Sequence, residues 1–313
     1  MSTLTQNPAK PTRKKPAALQ LSAAYAVCRS ITRASAKNFY YAFVALPRRK
    51  RDALCAVYAF MRHADDISDD PNVSDEKKRQ QLGEWLEGFH RVTFGRATDD
   101  PVLLALADTQ QRFKIPVQLL EKLVYGTSMD VRVEPAEPGR PPAVPYTTFQ
   151  DLYKYCYHVA SVVGLVCIHI FGYRDAQAED LAEKTGIAFQ LTNIIRDVKE
   201  DAQMGRIYLP HDDLQAFGLN PEHFVGEVNA ESFKPLLKLE ADRAREYYKA
   251  GFELIPMLDP DARAAMWVLV TIYSRLLEKI AKADYNVFSG KIRLSTTEKL
   301  KVLGRGLFRR FQP

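Results

Sequence analysis

Paired cysteines, long apolar runs and alternating strand patterns are all scarce in this sequence. The four cysteines, Cys28, Cys55, Cys156 and Cys167, form no Cys-x-x-Cys pair, and each sits among apolar residues. Buried free thiols in a reducing compartment are the simplest reading. The longest apolar run, Val159 to Ile168, is about half the length a membrane span needs, so no integral membrane protein is expected. No segment alternates apolar and polar residues as a half-buried strand would, which points to an all-α chain. Charge of one sign is not in large excess: 44 Lys and Arg face 38 Asp and Glu, for a net +6. That balance suits nucleic acid, anionic lipid or phosphorylated small molecules and does not choose among them. Residues 1–18 carry Pro and Lys/Arg without an apolar h-region, so they are expected to form a disordered basic tail rather than a secretory signal. No internal repeat, Ser or Cys nucleophile triad, or Gly-x-Gly-x-x-Gly fingerprint is present.

What the chain has is helical periodicity. Apolar residues recur at helical spacing near 22–34, 48–67, 75–94, 100–113, 116–130, 147–171, 175–203, 230–255, 260–285 and 295–309. Pro101, Pro116 and Pro260 suit first turns. The Pro-rich stretch from Val131 to Pro145 cannot be helical and reads as a surface loop within one domain, residues 19–313. With 46% hydrophobic residues over 313 positions, the chain can bury a large core.

Two segments carry chemistry. In the first, Tyr58 to Asp70, Asp65 and Asp69 are four apart and share one helix face, with Asp66 beside them and Arg62 one turn earlier. Such like charges destabilise an isolated helix by roughly 0.2–0.5 kcal/mol per pair. A frayed, solvated helix end explains that segment alone as well as a site does. An EF-hand is excluded, because the Gly and terminal Glu are missing. In the second, Gln190, Asn193, Asp197 and Asp201 make a polar stripe at near four-residue spacing, while Leu191, Ile194, Ile195 and Val198 are apolar. A carboxylate stripe on a largely apolar helix needs counter-charge. Hard oxygen ligands beside Arg196 suit Mg²⁺ that is itself held by substrate phosphates. The pairing of the two segments favours a site over a charged surface.

With these segments the chain resembles the squalene/phytoene synthase family from about Tyr25 to Leu303. The signatures are Asp65-Asp-Ile-Ser-Asp69, the run from Tyr155 through His158 to Gly164, and Gln190 to Asp201 followed by Gly205-Arg-Ile-Tyr-Leu-Pro210. Phe39 to Phe43, Leu46-Pro47 and Ala56 to Phe60 also match. The resemblance implies a single-domain isoprenoid-synthase-type helical bundle around a central apolar cavity. It implies Asp65, Asp69, Asn193 and Asp197 as magnesium ligands, with Asp66 and Asp201 in support and Mn²⁺ as an alternative ion. It implies diphosphate contacts from Lys37, Arg62 and Arg196, in a pocket with Ser35, Tyr58, Gln190 and Tyr273, and Arg206 as a phosphate contact or loop anchor. Tyr155 matches a tyrosine implicated in proton handling or cation stabilisation. Two positions depart from the pattern: Asn38 replaces a common Ser, retaining hydrogen bonding, and Ser161 replaces a common Gly, which predicts slightly wider helix packing. The basic residues around Lys291 and Arg293 do not align securely.

The implied reaction is head-to-head condensation of two prenyl diphosphates. One donor ionises, the double bond of a second attacks the cation, and proton loss gives a cyclopropyl diphosphate. The closest look is to presqualene diphosphate and squalene-forming bacterial members using farnesyl diphosphate, with phytoene synthesis from geranylgeranyl diphosphate next. NADPH enters only if the product is squalene, and squalene synthases use it without the glycine fingerprint. Rival readings are a terpene cyclase or head-to-tail prenyltransferase, and a non-catalytic assembly protein of the same fold, which would have lost metal ligands. The C-terminal stretch places Leu300, Leu303, Leu307 and Phe311 near one face among Lys and Arg. It is read either as contact with anionic membrane or as a helix packed on its own core. A cytoplasmic enzyme, at most peripheral to the membrane and without a nucleic-acid partner, is the expectation.

Overall fold

Start signals in the sequence become helix caps. The computed structural model describes residues 20–36, 39–132, 139–226 and 228–309. Helices α1 (Leu21–Ser35), α2 (Phe39–Val44), α3 (Arg48–Ser68), α4 (Asp75–Thr93), α5 (Pro101–Phe113) and α6 (Val117–Ser128) form the first half. Then come α7 (Phe149–Cys156), α8 (Val162–Phe171), α9 (Gln177–Gln203), α10 (His211–Ala216), α11 (Ala230–Leu254), α12 (Pro260–Lys282) and α13 (Thr296–Arg309). The Ser74 hydroxyl accepts from the Lys77 amide to open α4. Asp100 accepts from Val102 and Leu103 ahead of Pro101 to open α5, and Thr148 and Asp151 form a capping box on α7. No strand occurs among the described residues, which contain only two isolated bridges.

The apolar face of each helix turns inward, and α9 is the central element, packed against α7, α8, α11 and α12. Cys28, Cys55 and Cys156 are buried and Cys167 is partly so, and all four are free thiols. Burial pushes the Cys28 and Cys167 thiols up to about 12, so they are inert packing groups. A π-helical turn, Tyr157–Ser161, joins α7 to α8. It fits because two neighbours lack a side chain. A Cβ on Gly126 would lie 2.6 Å from the His158 carbonyl oxygen, and one on Gly186 2.5 Å from the Ser161 Cα. The wider packing expected from Ser161 is therefore corrected. The close approach is made by a glycine on the facing helix, and the wholly buried Ser161 hydroxyl donates to the Glu183 carbonyl at 2.7 Å.

Two further expectations change. Phe149–Phe171 is long and apolar enough to span a membrane by length and composition, which a count of its unbroken apolar run understates. Half of its most apolar window is buried in the bundle, as in a core helix. The expected apolar face of α13 is divided. Val302 and Gly306 meet the core, and Leu303 and Leu307 pack half-buried beside them. Leu300 and Phe308 stay exposed, and Phe311 lies outside the described residues. The inner side of this helix packs on its own bundle.

Candidate active site

One stripe of α3 and one of α9 face the same cavity. From α3 come Leu54, Val57, Tyr58, Met61, Arg62 and Asp65; from α9 come Ala182, Thr185, Gly186, Phe189, Gln190 and Asn193. Both sets follow the spacing of a single helix face. Val159 to Phe171, and Met266, Leu269 and Tyr273 of α12, line the other sides, with Phe39 and Phe43 of α2 and Leu254 of α11. The cavity volume is about 250 Å³. Its character changes along its length. Arg62, Asp65, Gln190 and Asn193 mark a polar mouth, and Leu54, Ile168, Phe171, Leu254 and Met266 an apolar depth. A carbocation formed at the mouth would meet aromatic and aliphatic walls that hold little water.

At the mouth the α3 carboxylates crowd together. Burial, then the charge of Asp69, pushes Asp65 up to about 6, although the Thr127 hydroxyl donates to it at 3.3 Å. Asp69 lies one turn on, and together with Asp65, Ser68, Thr127 and His158 it lines a smaller side recess. Arg62 pairs with Asp66 instead.

The α9 carboxylates, one and two turns beyond Asn193 and not among the cavity-lining residues, differ from those of α3. Burial would raise Asp197, but Arg196, through both Nε and Nη2, and Lys291 at 2.5 Å together hold it below the usual carboxylate range. Asp201, one turn on, is pushed up to about 7 by burial and by Asp197, with Arg206 opposing. The Asn193 amide donates to Gln190 at 3.4 Å, while its own buried Oδ1 has no hydrogen-bond partner among the described residues.

The remaining expected residues separate. Tyr273 is buried, stacks on Phe189 with centroids 4.5 Å apart, and lines the cavity, as does the half-buried Tyr58. Arg196 lines an adjoining recess with Lys291, Arg293 and Lys299. Tyr155 is not among the cavity-lining residues. It packs in a triangle of rings with Tyr146 and Tyr208, at 5.3 and 5.0 Å, whose own centroids are 6.2 Å apart, and Arg206 donates to the Tyr208 hydroxyl at 3.0 Å. Ser35 is exposed at the end of α1 and does not line the cavity, and Lys37 and Asn38 lie outside the described residues.

Sequence reasoning missed the role of Lys291. Its only signal is a Lys and an Arg in Gly290-Lys-Ile-Arg293, after a helix rather than on one. No group of three or more His, Cys, Asp or Glu converges as a preformed metal cage among the described residues. Two separated carboxylate arms are nevertheless compatible with Mg²⁺, which takes one or two carboxylates and fills its octahedron with water and phosphate.

Comparison with known proteins matches this arrangement. The squalene/phytoene synthase family matches residues 32–298. The chain belongs to that family. As a member of the squalene/phytoene synthases it is a prenyltransferase-type enzyme of the head-to-head class. Among its relatives, the 15-cis-phytoene synthase of Synechococcus elongatus is 33% identical over 305 residues, 94% of each chain. The phytoene synthase of Mycobacterium tuberculosis is 35% identical over 291 residues, 92% of each. Among solved structures, a dehydrosqualene synthase with bound ligand superposes with a TM-score of 0.80 at 31% identity, covering 92% of this chain and 97% of that one. A squalene synthase from Alicyclobacillus acidocaldarius gives 0.76 at 28% identity, covering 85% and 96%.

Proposed function

We propose that this synthase joins two farnesyl diphosphates head to head to give presqualene diphosphate, squalene, or both, with release of diphosphate. The depth of the apolar cavity carries this reading. Eleven residues separate Asp65 from Leu54 on α3, the span over which that helix lines the cavity, or about 16 Å at 1.5 Å rise per residue. An extended farnesyl chain measures about 14 Å, and a geranylgeranyl chain about 19 Å, at about 1.25 Å of projection per carbon–carbon bond. The shorter chain fits between carboxylate and floor; the longer one overruns it.

The donor set at the mouth supports magnesium: Asp65 and Asp69 on one arm, Asn193, Asp197 and Asp201 on the other, with Asp66 behind. Asn193 carries a buried oxygen without a partner among the described residues, and Asp65 and Asp201 are raised by burial and by a like charge that a cation would relieve. When bound, magnesium would neutralise the charge developing on the departing diphosphate. Arg62, Arg196 and Lys291 add fixed positive charge at the same edge, which makes the leaving group easier to release. The aromatic walls at Phe189 and Tyr273 face the allylic cation, where ring faces favour positive charge. Tyr155 acts at a distance in this reading, by positioning Tyr208 and, through it, Arg206 near Asp201.

The names of the curated relatives favour a second reading, phytoene synthesis from two geranylgeranyl diphosphates. One experiment separates them. The purified enzyme is incubated with each prenyl diphosphate and Mg²⁺, with and without NADPH, and products are read by mass spectrometry. Presqualene diphosphate or squalene from farnesyl diphosphate is expected. A product from geranylgeranyl diphosphate alone would overturn the farnesyl reading, and release of diphosphate from neither would revive the non-catalytic one.

A further inference from the structure

The lower end of the bundle, away from the acidic mouth, holds an ion-pair cluster, a mostly buried lysine on two partly exposed carboxylates, that the chemistry above does not use. On α3 the cavity-lining stripe ends at Leu54. Lys50 lies one turn further down on the same face. Its side chain is only 13% exposed. The ammonium donates to the Phe171 carbonyl at 2.7 Å, to Asp259 Oδ2 at 3.2 Å and to Asp261 Oδ1 at 2.5 Å. One cation thus ties the first turn of α3, the last carbonyl of α8 and the start of α12. These are the helix ends that close the apolar depth, since Phe171 itself lines the cavity. The joint is tight. Gly172 sits at φ 75°, where a Cβ would lie 2.1 Å from Asp259 Oδ2, and the Asp259 amide donates to the Gly172 carbonyl at 2.9 Å.

We propose that Lys50 is a specificity-determining residue, an ion-paired plug beneath the cavity floor that limits the length of prenyl chain admitted. The proposal rests on the farnesyl reading above. From Asp65 to Lys50 along α3 is about 22 Å, against about 16 Å to Leu54. A chain one isoprene unit longer, at about 19 Å, therefore runs past Leu54 into the space above Lys50, which the ammonium and its two carboxylates close. An apolar chain end cannot replace those partners, because stripping a mostly buried ammonium of its hydrogen-bond acceptors is unfavourable. Ion pairs with solvent-open carboxylates contribute little net stability, so their value here is in fixing where the helix ends stop. The Phe171 ring is the part of that stop facing the ligand, and Lys50 acts through it as a positioning residue.

The test compares the full-length wild type with Lys50→Ala, Lys50→Arg and Phe171→Ala. Each is given farnesyl and geranylgeranyl diphosphates in separate and mixed incubations with Mg²⁺, with melting temperature measured in parallel. Lys50→Ala is expected to raise the ratio of geranylgeranyl to farnesyl turnover by about tenfold or more, the scale on which small pocket-volume changes discriminate substrates. Lys50→Arg, which keeps the charge, should restore the wild-type ratio, and Phe171→Ala should shift it in the same direction as Lys50→Ala. A folded Lys50→Ala enzyme with the wild-type ratio overturns the plug, whatever its melting temperature, as does a shift in Phe171→Ala alone. If Lys50→Ala does not fold, Asp261→Asn carries the same expectation, and an unchanged ratio there overturns the proposal. Wild-type preference for geranylgeranyl diphosphate would sink the farnesyl reading, with the plug judged separately by whether Lys50→Ala moves the ratio.

Discussion

The two acidic arms at the cavity mouth look equivalent in sequence and differ in the folded protein. On the α3 arm, Asp65 is buried against Asp69, accepts from the Thr127 hydroxyl, and is raised to about 6 by burial and by Asp69. On the α9 arm, Asp197 is already neutralised by Arg196 and Lys291 and holds its proton weakly. Asp65 keeps its repulsion from Asp69, Asp197 carries its own counter-charge, and Asp201 one turn on is again raised, by burial and by Asp197. A like-charge pair on a helix face is worth only tenths of a kcal/mol in water, and burial enlarges it. Asp65 and Asp201 are thus left to receive a cation, while Asp197 is held in shape before one arrives.

The largest expected effect tests whether both arms belong to one site. Asp65→Asn and Asp197→Asn should each lower diphosphate release with Mg²⁺ by on the order of a hundredfold or more, as expected when charge stabilisation at a leaving group is lost. Near-wild-type rates in both would falsify the shared site. Lys291→Ala comes next. Removing a charge-assisted partner of Asp197 should lower kcat/KM about tenfold and leave the fold intact. An unchanged kcat/KM would make Lys291 a bystander to the α9 arm.

The third expectation concerns pH in divalent-ion-free buffer. Asp65 at about 6 and Asp201 at about 7 are raised above their unfolded values, so the folded state binds more protons than the unfolded one between about pH 4 and pH 7. Their contribution to stability is present at low pH and is lost as pH rises through those values. Glu240, raised to about 7 by burial, adds a slope of the same sign. The protein should therefore melt at higher temperature at pH 5.5 than at pH 8. Asp65→Asn should raise the pH 8 melting temperature by roughly 2–4 °C, the response of a chain this size to about 1 kcal/mol. A lower melting temperature in that variant would mean that Asp65 carries no unrelieved repulsion.

The smallest effect is expected at Tyr155, behind both arms. Tyr155→Phe should change turnover by less than about threefold, since a group in direct proton transfer is worth about a hundredfold or more. A larger loss would move Tyr155 from the aromatic stack into the chemistry.

Much of the fold was legible because long amphipathic helices write themselves at a 3.6-residue period. The expected 48–67 segment is α3 (Arg48–Ser68), and 230–255 is α11 (Ala230–Leu254). The expected 147–171 segment proves to be α7, a π-helical turn and α8, because a π-turn keeps the chain helical while shifting its register. The short α2 and α10, six residues each, span fewer than two turns and leave no readable period. In the site, Asp65, Asn193 and Gln190 were legible because residues four apart on one helix must share a face. Lys291 was not, since nothing in a loop sequence states which distant carboxylate it reaches.

For the acidic arms, then, the sequence by itself determined that each is a helical stripe of hard oxygen donors, because local helix geometry converts spacing into position. Only the tertiary structure decided that Asp197 is paired and Asp65 crowded, that Tyr155 stacks away from the cavity, and that Leu54 and Phe171 close its floor above Lys50. Those outcomes depend on which helices meet and how deeply they bury their charges. Contacts between residues as distant in sequence as Lys50 and Asp261 are set by packing of the whole bundle.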